Sequence, residues 1–301
     1  MFIVGAYAAM PGTRHEQEEF LTGLTQLATG LEIPWRGGGL DADPAWLAGQ
    51  LAGRFPHSVV TAIPDTMRML GTDPSFGLAS PDAEGRAAAL EQARQIFAAV
   101  RELNESAGER VVECIEFQSA PSHIADAQAL VASLLELREL AAAEGVGIVL
   151  EHCDARGGAG AGEKNFLSLG EEIEACERAG VKIALNWGRS VIESHDVDRP
   201  RAQAQLLAER GLLAGLICSG AGGTDTAYGP GWGDTHLPLK SVEPTSLMTP
   251  ELVAKFVAAG ADGETGAGGV VDYLGVKVQV PADASPAERV AIIAEIKAAM
   301  G

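Results

Sequence analysis

Glu151, His152, Cys153 and Asp154 stand together where the apolar run from Val146 to Leu150 gives out. A carboxylate in that position can exchange a proton with a substrate carbon or ligate a metal, and an imidazole titrates close to neutral pH. Side chains alternate along a strand, so an extended Glu151-His152 pair turns only one of them toward a site. Glu151 is the first candidate for catalysis and His152 the second, with a hydrogen-bonding role beneath the loop as the plainer alternative for His152. Asp154 is as well suited to orienting the loop as to chemistry.

A second group follows the next apolar run. Asn186 can bind a hydroxyl, Trp187 can cover the apolar face of a sugar, and Arg189 can clamp a carboxylate or phosphate with its planar fork. The plainer readings are a packed Trp187 and a solvent-facing Arg189. Farther on, a glycine-rich passage carries Asp225, Asp234 and His236. Asp234 and His236 are one residue apart, and in a loop they can supply oxygen and nitrogen ligands together. With Glu151 they form the candidate set for a divalent ion, zinc, manganese or magnesium, and His236 is also a candidate acid. Hydrogen bonding within the loop is the competing account of both. Near the N-terminus, Glu32 and the Trp35-Arg36 pair are candidate substrate contacts, as is Glu116 in the middle of the chain. A buried Glu32 would need a ligand, a metal or a positive partner.

These groups need elements to place them. Glycine repeatedly stands just before an apolar run, at Gly30, Gly145, Gly180 and Gly211. Glycine closes a helix in the left-handed conformation, and a continuous apolar run suits a strand buried on both faces. The pattern predicts strands over 2–8, 30–34, 57–63, 110–117, 146–151, 181–186, 212–218 and 274–280. Helices are expected near 14–28, 43–53, 84–104, 123–143, 168–179, 199–210, 250–259 and 286–299. Thr249-Pro250 and Ser285-Pro286 with Glu288 read as capped helix starts. Alternating strands and helices in this number predict a single (β/α)8 TIM barrel over residues 1–301, in which the loops after the strands carry the chemistry. Gly260 to Gly269 precedes the last strand and is expected at the opposite end. The alternative is an open Rossmann-like sheet with an appended domain, but no GxGxxG fingerprint follows an initial strand, so no nucleotide cofactor is expected.

Composition narrows the partners. At 301 residues and 47% hydrophobic, the chain can bury a large core. A net charge of −19 disfavours nucleic acid and anionic membranes. Cys114, Cys153, Cys176 and Cys218 show no CxxC or dense disulfide spacing. The first residues, Met1 to Tyr7, lack a basic leader and are too short for a membrane span, so the expected location is cytoplasmic, with homo-oligomer formation left open.

Gly30-Leu31-Glu32, Val149-Leu150-Glu151-His152, the strand ending at Asn186, and Asp234-Thr235-His236-Leu237-Pro238 together resemble the xylose isomerase-like barrel superfamily. The resemblance covers nearly the whole chain and implies a sugar-phosphate isomerase or epimerase, with a small carbohydrate, polyol or sugar acid as substrate. In the sugar-active branches a glutamate, an aspartate, a histidine and a glutamate after strands five to eight hold a divalent ion. Glu151 matches the first of these. Asn186 stands at the aspartate position, Cys218-Ser219 where the histidine would be sought, and Lys277 or Gln279 near the final glutamate. The chain thus departs from the metal set, which leaves a noncatalytic binder of sugars or sugar acids as the alternative. In the endonuclease branch Asp234-Thr235-His236 resembles one zinc-binding pair, but most of that branch's other histidines are not evident.

Overall fold

The computed structural model describes residues 1–261 and 271–301. Most of the Gly260–Gly269 passage therefore lies outside the described residues. The strands are β1 (Phe2–Val4), β2 (Gly30–Pro34), β3 (Ser58–Thr61), β4 (Val112–Phe117), β5 (Gly147–Glu151), β6 (Lys182–Asn186), β7 (Leu213–Cys218) and β8 (Tyr273–Val276). The helices are α1 (Arg14–Leu24), α2 (Pro44–Leu51), α3 (Ile63–Leu70), α4 (Ala83–Ala107), α5 (Ala127–Glu144), α6 (Leu169–Ala179), α7 (Trp187–Ser194), α8 (Arg199–Glu209), α9 (Pro250–Ala261) and α10 (Pro286–Ala299). Neighbouring strands pair in sequence order and β8 returns to β1, which closes the (β/α)8 barrel and removes the open-sheet alternative. Among the described residues no helix is long and apolar enough to cross a membrane.

The expected helix stops are present at Gly145 and Gly180, with φ of 66° and 64°. Gly30 is different: α1 ends at Leu24 and Gly30 is already the first residue of β2. The Ser285 cap is a full capping box with Glu288, and Thr249 accepts the Leu252 N–H at 3.4 Å.

Contacts divide the chain into two units. The first comprises Met1–Leu31, Ala159–Glu163 and Leu185–Gly301, and the second Glu32–Gly158 and Lys164–Ala184. In the second unit, Phe117 of β4 meets Phe97 of α4 with ring centroids 6.3 Å apart, so that parity of the strand faces the helices. Glu116 therefore turns the other way, and register places Thr61 beside it and Glu32 beside Val59 on the same parity. Continued through β5, that register gives Val149 and Glu151 the same face.

In the first unit the helix-facing residue is Leu216. A Cβ at Gly260 of α9 would lie 2.7 Å from its Cδ1, so helix and strand approach as closely as glycine permits. Gly215, Ile217 and Ser219 then face away from the helices, paired with Tyr273, Gly275 and, one step on, Lys277. Packing there alternates large with absent side chains. A Cβ at Gly215 would lie 2.3 Å from the Tyr273 ring, and one at Gly275 would lie 2.5 Å from Ile217 and 3.0 Å from Ile3. Close packing of such layers fills the volume and leaves polar groups only at the strand ends.

Candidate functional site

In the second unit the strand ends carry Glu32, Glu116 and Glu151, whose exposures are 3%, 0% and 1%. Carboxylates so buried require hydrogen-bonding or charged company. Gln118, two residues beyond Glu116 and so of the same parity, donates from Nε2 to Glu151 Oε2 at 3.0 Å and to the Glu116 carbonyl at 3.4 Å. One hydrogen bond thus holds Glu151 in place. The other end of the amide, Gln118 Oε1, and the Thr61 hydroxyl are buried with no hydrogen-bond partner among the described residues. Buried polar atoms of that kind are costly and mark a place where a ligand or water completes the set.

His152 has the opposite parity and lies elsewhere. Its Nδ1 is 2.6 Å from Glu172 Oε2 on α6, and the other oxygen of Glu172 accepts the Ser119 hydroxyl at 2.5 Å. The imidazole joins the end of β5 to a helix, so the expectation of a catalytic His152 gives way to a buried structural pair. Asp154 accepts the backbone N–H groups of Lys164 and Asn165 at 2.8 and 3.2 Å, which orients the loop. Trp35 is 4% exposed and packed, whereas Arg36 is exposed.

In the first unit, Asn186 to Arg189 is not a loop. Asn186 caps α7, and its Oδ1 accepts the Arg189 N–H at 3.3 Å. That bond fixes which end of the amide is which. The remaining donor, Asn186 Nδ2, is buried without a hydrogen-bond partner among the described residues. Trp187 is 1% exposed, too enclosed to cover a sugar face. Arg189 is equally buried, and its Nε donates to Asp234 Oδ2 at 3.0 Å. Its expected role as an anion clamp is replaced, for that nitrogen, by an internal ion pair.

The other oxygen of Asp234 lies 3.2 Å from His236 Nδ1, and the Ser219 hydroxyl lies 2.8 Å from the same nitrogen. A serine-histidine-acid relay needs the serine and the acid on different ring nitrogens, so this trio is no nucleophilic triad. Asp234 also receives support through its backbone N–H, which donates to Glu163 at 2.5 Å. Lys277 is fully buried, with its ammonium 5.3 Å from the Tyr7 ring centroid, a cation–π distance. Asp225 is exposed and accepts the Gly231 N–H at 2.9 Å, a turn-forming role rather than a ligand contact.

Sequence reasoning passed over Gln118, Thr61 and Ser119. Gln118 was available from its spacing, since a residue two beyond a strand-end glutamate shares its face. Glu172 and Ser119 had no local signal.

The resemblance implies a resident divalent ion, and the donor chemistry does not fit one. Asn186 has spent its oxygen on a helix cap and offers N–H groups instead. Cys218 has the parity of Leu216, which faces the helices, so its thiol is turned away from the strand-end face. The ammonium of Lys277 opposes a cation. Of the expected set of Glu151, Asp234 and His236, the last two lie 3.2 Å apart and Asp234 is also ion-paired with Arg189. Among the described residues no group of three or more His, Cys, Asp or Glu side chains is arranged to hold a metal.

Comparison with known proteins gives concordant results. Residues 3–292 match the family model described as a domain of unknown function, DUF4862. An uncharacterized protein of Salmonella typhimurium strain LT2 is 34% identical over 269 residues, covering 86% of this chain and 85% of its own. Among solved structures, the IOLI protein with a binding zinc atom superposes with a TM-score of 0.61 at 12% identity, covering 99% of this chain and 97% of its own. The 3-keto-D-glucoside 4-epimerase of E. coli gives 0.58 at 13% identity, covering 96% and 98%. At such identities the likeness is one of fold, and the fold is the xylose isomerase-like barrel.

Proposed function

The chain belongs to the DUF4862 family, and from its barrel and strand-end residues we propose that it is a carbohydrate isomerase or epimerase working by proton transfer at a substrate carbon. The observation that carries this reading is Glu151, 1% exposed and held at 3.0 Å by Gln118, on the face that also presents Glu32 and Glu116. A carboxylate fixed in a desolvated setting is suited to abstract and return a proton. Glu32 and Glu116 are acceptors for sugar hydroxyls, and the open positions on Gln118 Oε1 and Thr61 Oγ1 suit further hydroxyl groups. The names of structural neighbours such as the E. coli epimerase are in keeping with it.

In this proposal residues 1–301 work as one barrel domain on a small molecule, with neither nucleic acid nor membrane as partner. Four free, buried cysteines are in keeping with a reducing cytoplasm. Asn186 and Lys277 in place of metal ligands favour a second reading, a sugar-binding protein that does no chemistry.

Deuterium uptake from D2O at substrate carbons, followed by NMR across neutral, acidic and phosphorylated aldoses and ketoses, separates the two. The enzyme reading expects exchange that survives chelation. Saturable binding with unchanged, unlabelled sugar recovered after long incubation would leave only the binder.

A further inference from the structure

The strand-end side chains of the first unit are shut away from solvent. Asn186, Arg189 and Ser219 are buried, and the side chains of Asp234 and His236 keep only 7% and 14% of their exposure. A ligand reaches this group only if something around it moves. Two stretches of chain meet there, Ala159–Glu163 beyond β5 and the loop beyond β7 that carries Trp232, Asp234 and His236. Rings and glycines join them in one stack. The His195 ring, just past α7, lies against Trp232 with centroids 3.6 Å and planes 12° apart. A Cβ at Gly160 would lie 3.2 Å from His195 Cε1, and one at Gly223 would lie 2.9 Å from Trp232 Cζ2, so glycine is what permits both approaches. Backbone donors reinforce the stack: Ala159 N–H to the Glu193 carbonyl at 2.6 Å, Trp232 N–H to the Gly222 carbonyl at 2.7 Å, and Asp234 N–H to Glu163 at 2.5 Å.

The backbone on either side is built to swing. Gly157, Gly160 and Gly162 have φ of 78°, 74° and 64°, and all three are exposed. His195, Trp232 and His236 hold φ of 53°, 60° and 50°, in the left-handed region that residues with a side chain occupy at a cost. The base of the first stretch is fixed by contrast. Asp154 accepts the Lys164 and Asn165 N–H groups, and Arg156 N–H donates to the Phe166 carbonyl at 3.0 Å.

We propose that Ala159–Glu163 is a hinged cover for the strand-end group of the first unit, swinging on Gly157 and Gly162 and latched by the Gly160–His195–Trp232–Gly223 stack. The structure is its closed form, and a ligand enters when the stack parts. Strain at His195 and Trp232 is held by one aromatic contact and a few hydrogen bonds, so the latch opens locally while the barrel stays folded. The cover governs entry of any ligand, whether or not a proton moves, and so stands apart from the proposed function.

Amide exchange and histidine modification read the cover without a substrate. Native-state hydrogen exchange, followed by NMR, compares the latch amides of Ala159 and Asp234 with the base amides of Lys164 and Asn165. In the unaltered protein the latch is expected to exchange at least about tenfold faster than the base, because it opens without it. His195→Gly removes the ring and keeps the left-handed end of α7, a conformation glycine adopts freely. It should speed exchange at Ala159 and Asp234 by about tenfold more and leave Lys164 and Asn165 unchanged. Carbethoxylation of His236 by diethyl pyrocarbonate, read by peptide mass spectrometry, should accelerate by a similar factor. Trp232→Gly should do the same, and the double variant should add nothing, because both residues belong to one latch. Should His195→Gly fail to fold, Trp232→Gly and the latch-to-base ratio of the unaltered protein carry the test. Equal exchange at latch and base, latch amides or His236 unmoved by loss of either ring, or additive effects of the two changes would each overturn the inference.

Discussion

Within β2, β4 and β5 the side chains turned from the helices include Glu32, Glu116 and Glu151, whereas at the end of β6 and just beyond β7 and β8 they are Asn186, Ser219 and Lys277. The backbone rule that selects them is the same: strand, end of strand, parity away from the helix layer. One unit carries carboxylates at these places, and the other carries an amide, a hydroxyl and an ammonium. The fold determines where polar groups gather, and the residue at each strand end determines what they can hold. Likeness to a zinc-holding barrel therefore transfers position without transferring the ion.

The sharpest way to break this contrast is at Glu151. Glu151→Gln keeps size and hydrogen-bonding capacity while removing the exchangeable charge, so solvent exchange into substrate should fall by about 10² to 10⁴. Glu116→Gln should act chiefly on KM, because hydroxyl binding survives in weakened form. Undiminished exchange in Glu151→Gln would move the proton-transfer role to another group and dissolve the division between the two sets.

The donor-bearing unit is tested next through its buried ion pair. Arg189 and Asp234 have side-chain exposures of 1% and 7%, with 3.0 Å between Nε and Oδ2. Removing Arg189 leaves Asp234 with His236 but without its guanidinium partner, so the cost should approach the lower end of the range for a broken buried pair, about 3 to 5 kcal/mol. Arg189→Met should therefore lower the unfolding free energy by that amount, read from denaturant titration. Adding Asp234→Leu should return part of it, because the undercompensated charge is gone. A single replacement without effect would mean that the pair is not desolvated in solution.

Much of this architecture was legible in the sequence, and the reasons are local. The run from Gly30 to Pro34 forms β2 over the expected bounds, and Gly145 and Gly180 end their helices in the left-handed conformation. Those signals depend on a few adjacent residues. Two helices were missed for the same reason. Ile63–Leu70 has Pro64 as its second residue and starts one residue beyond a strand, and Trp187–Ser194 hides its cap in Asn186, which serves as strand end and helix start at once. Glu151 stood out because it terminates an apolar run. Its partner Gln118 lies 33 residues away, and Arg189 meets Asp234 across 45. Pairings at that separation are set by strand register and loop path. For this reason Trp187 and Arg189 read as ligand contacts when they are packed and paired within the protein.

The smallest effect concerns α6, which carries Glu172 and so holds His152. Ser168 caps this helix: its hydroxyl and backbone N–H donate to Glu171 at 2.7 and 2.9 Å, and Glu171 N–H returns a bond at 3.4 Å. Burial pushes the Glu171 carboxyl up, but the bonds from Ser168 and the charge of Arg156 outweigh it, leaving the group below its ordinary value of 4.5. A depressed carboxyl contributes stability that is complete above 4.5 and is lost as pH falls through the lowered folded value. Ser168→Ala should cost about 1 kcal/mol near neutral pH, the usual worth of such a cap. It should also flatten the acid limb of the stability profile, because the folded and unfolded values of Glu171 draw together. Denaturant titrations at neutral pH and below the carboxylate range would show a deficit that shrinks in acid. A deficit of equal size at both would mean that the Ser168 hydroxyl stabilises the helix without involving the charge of Glu171.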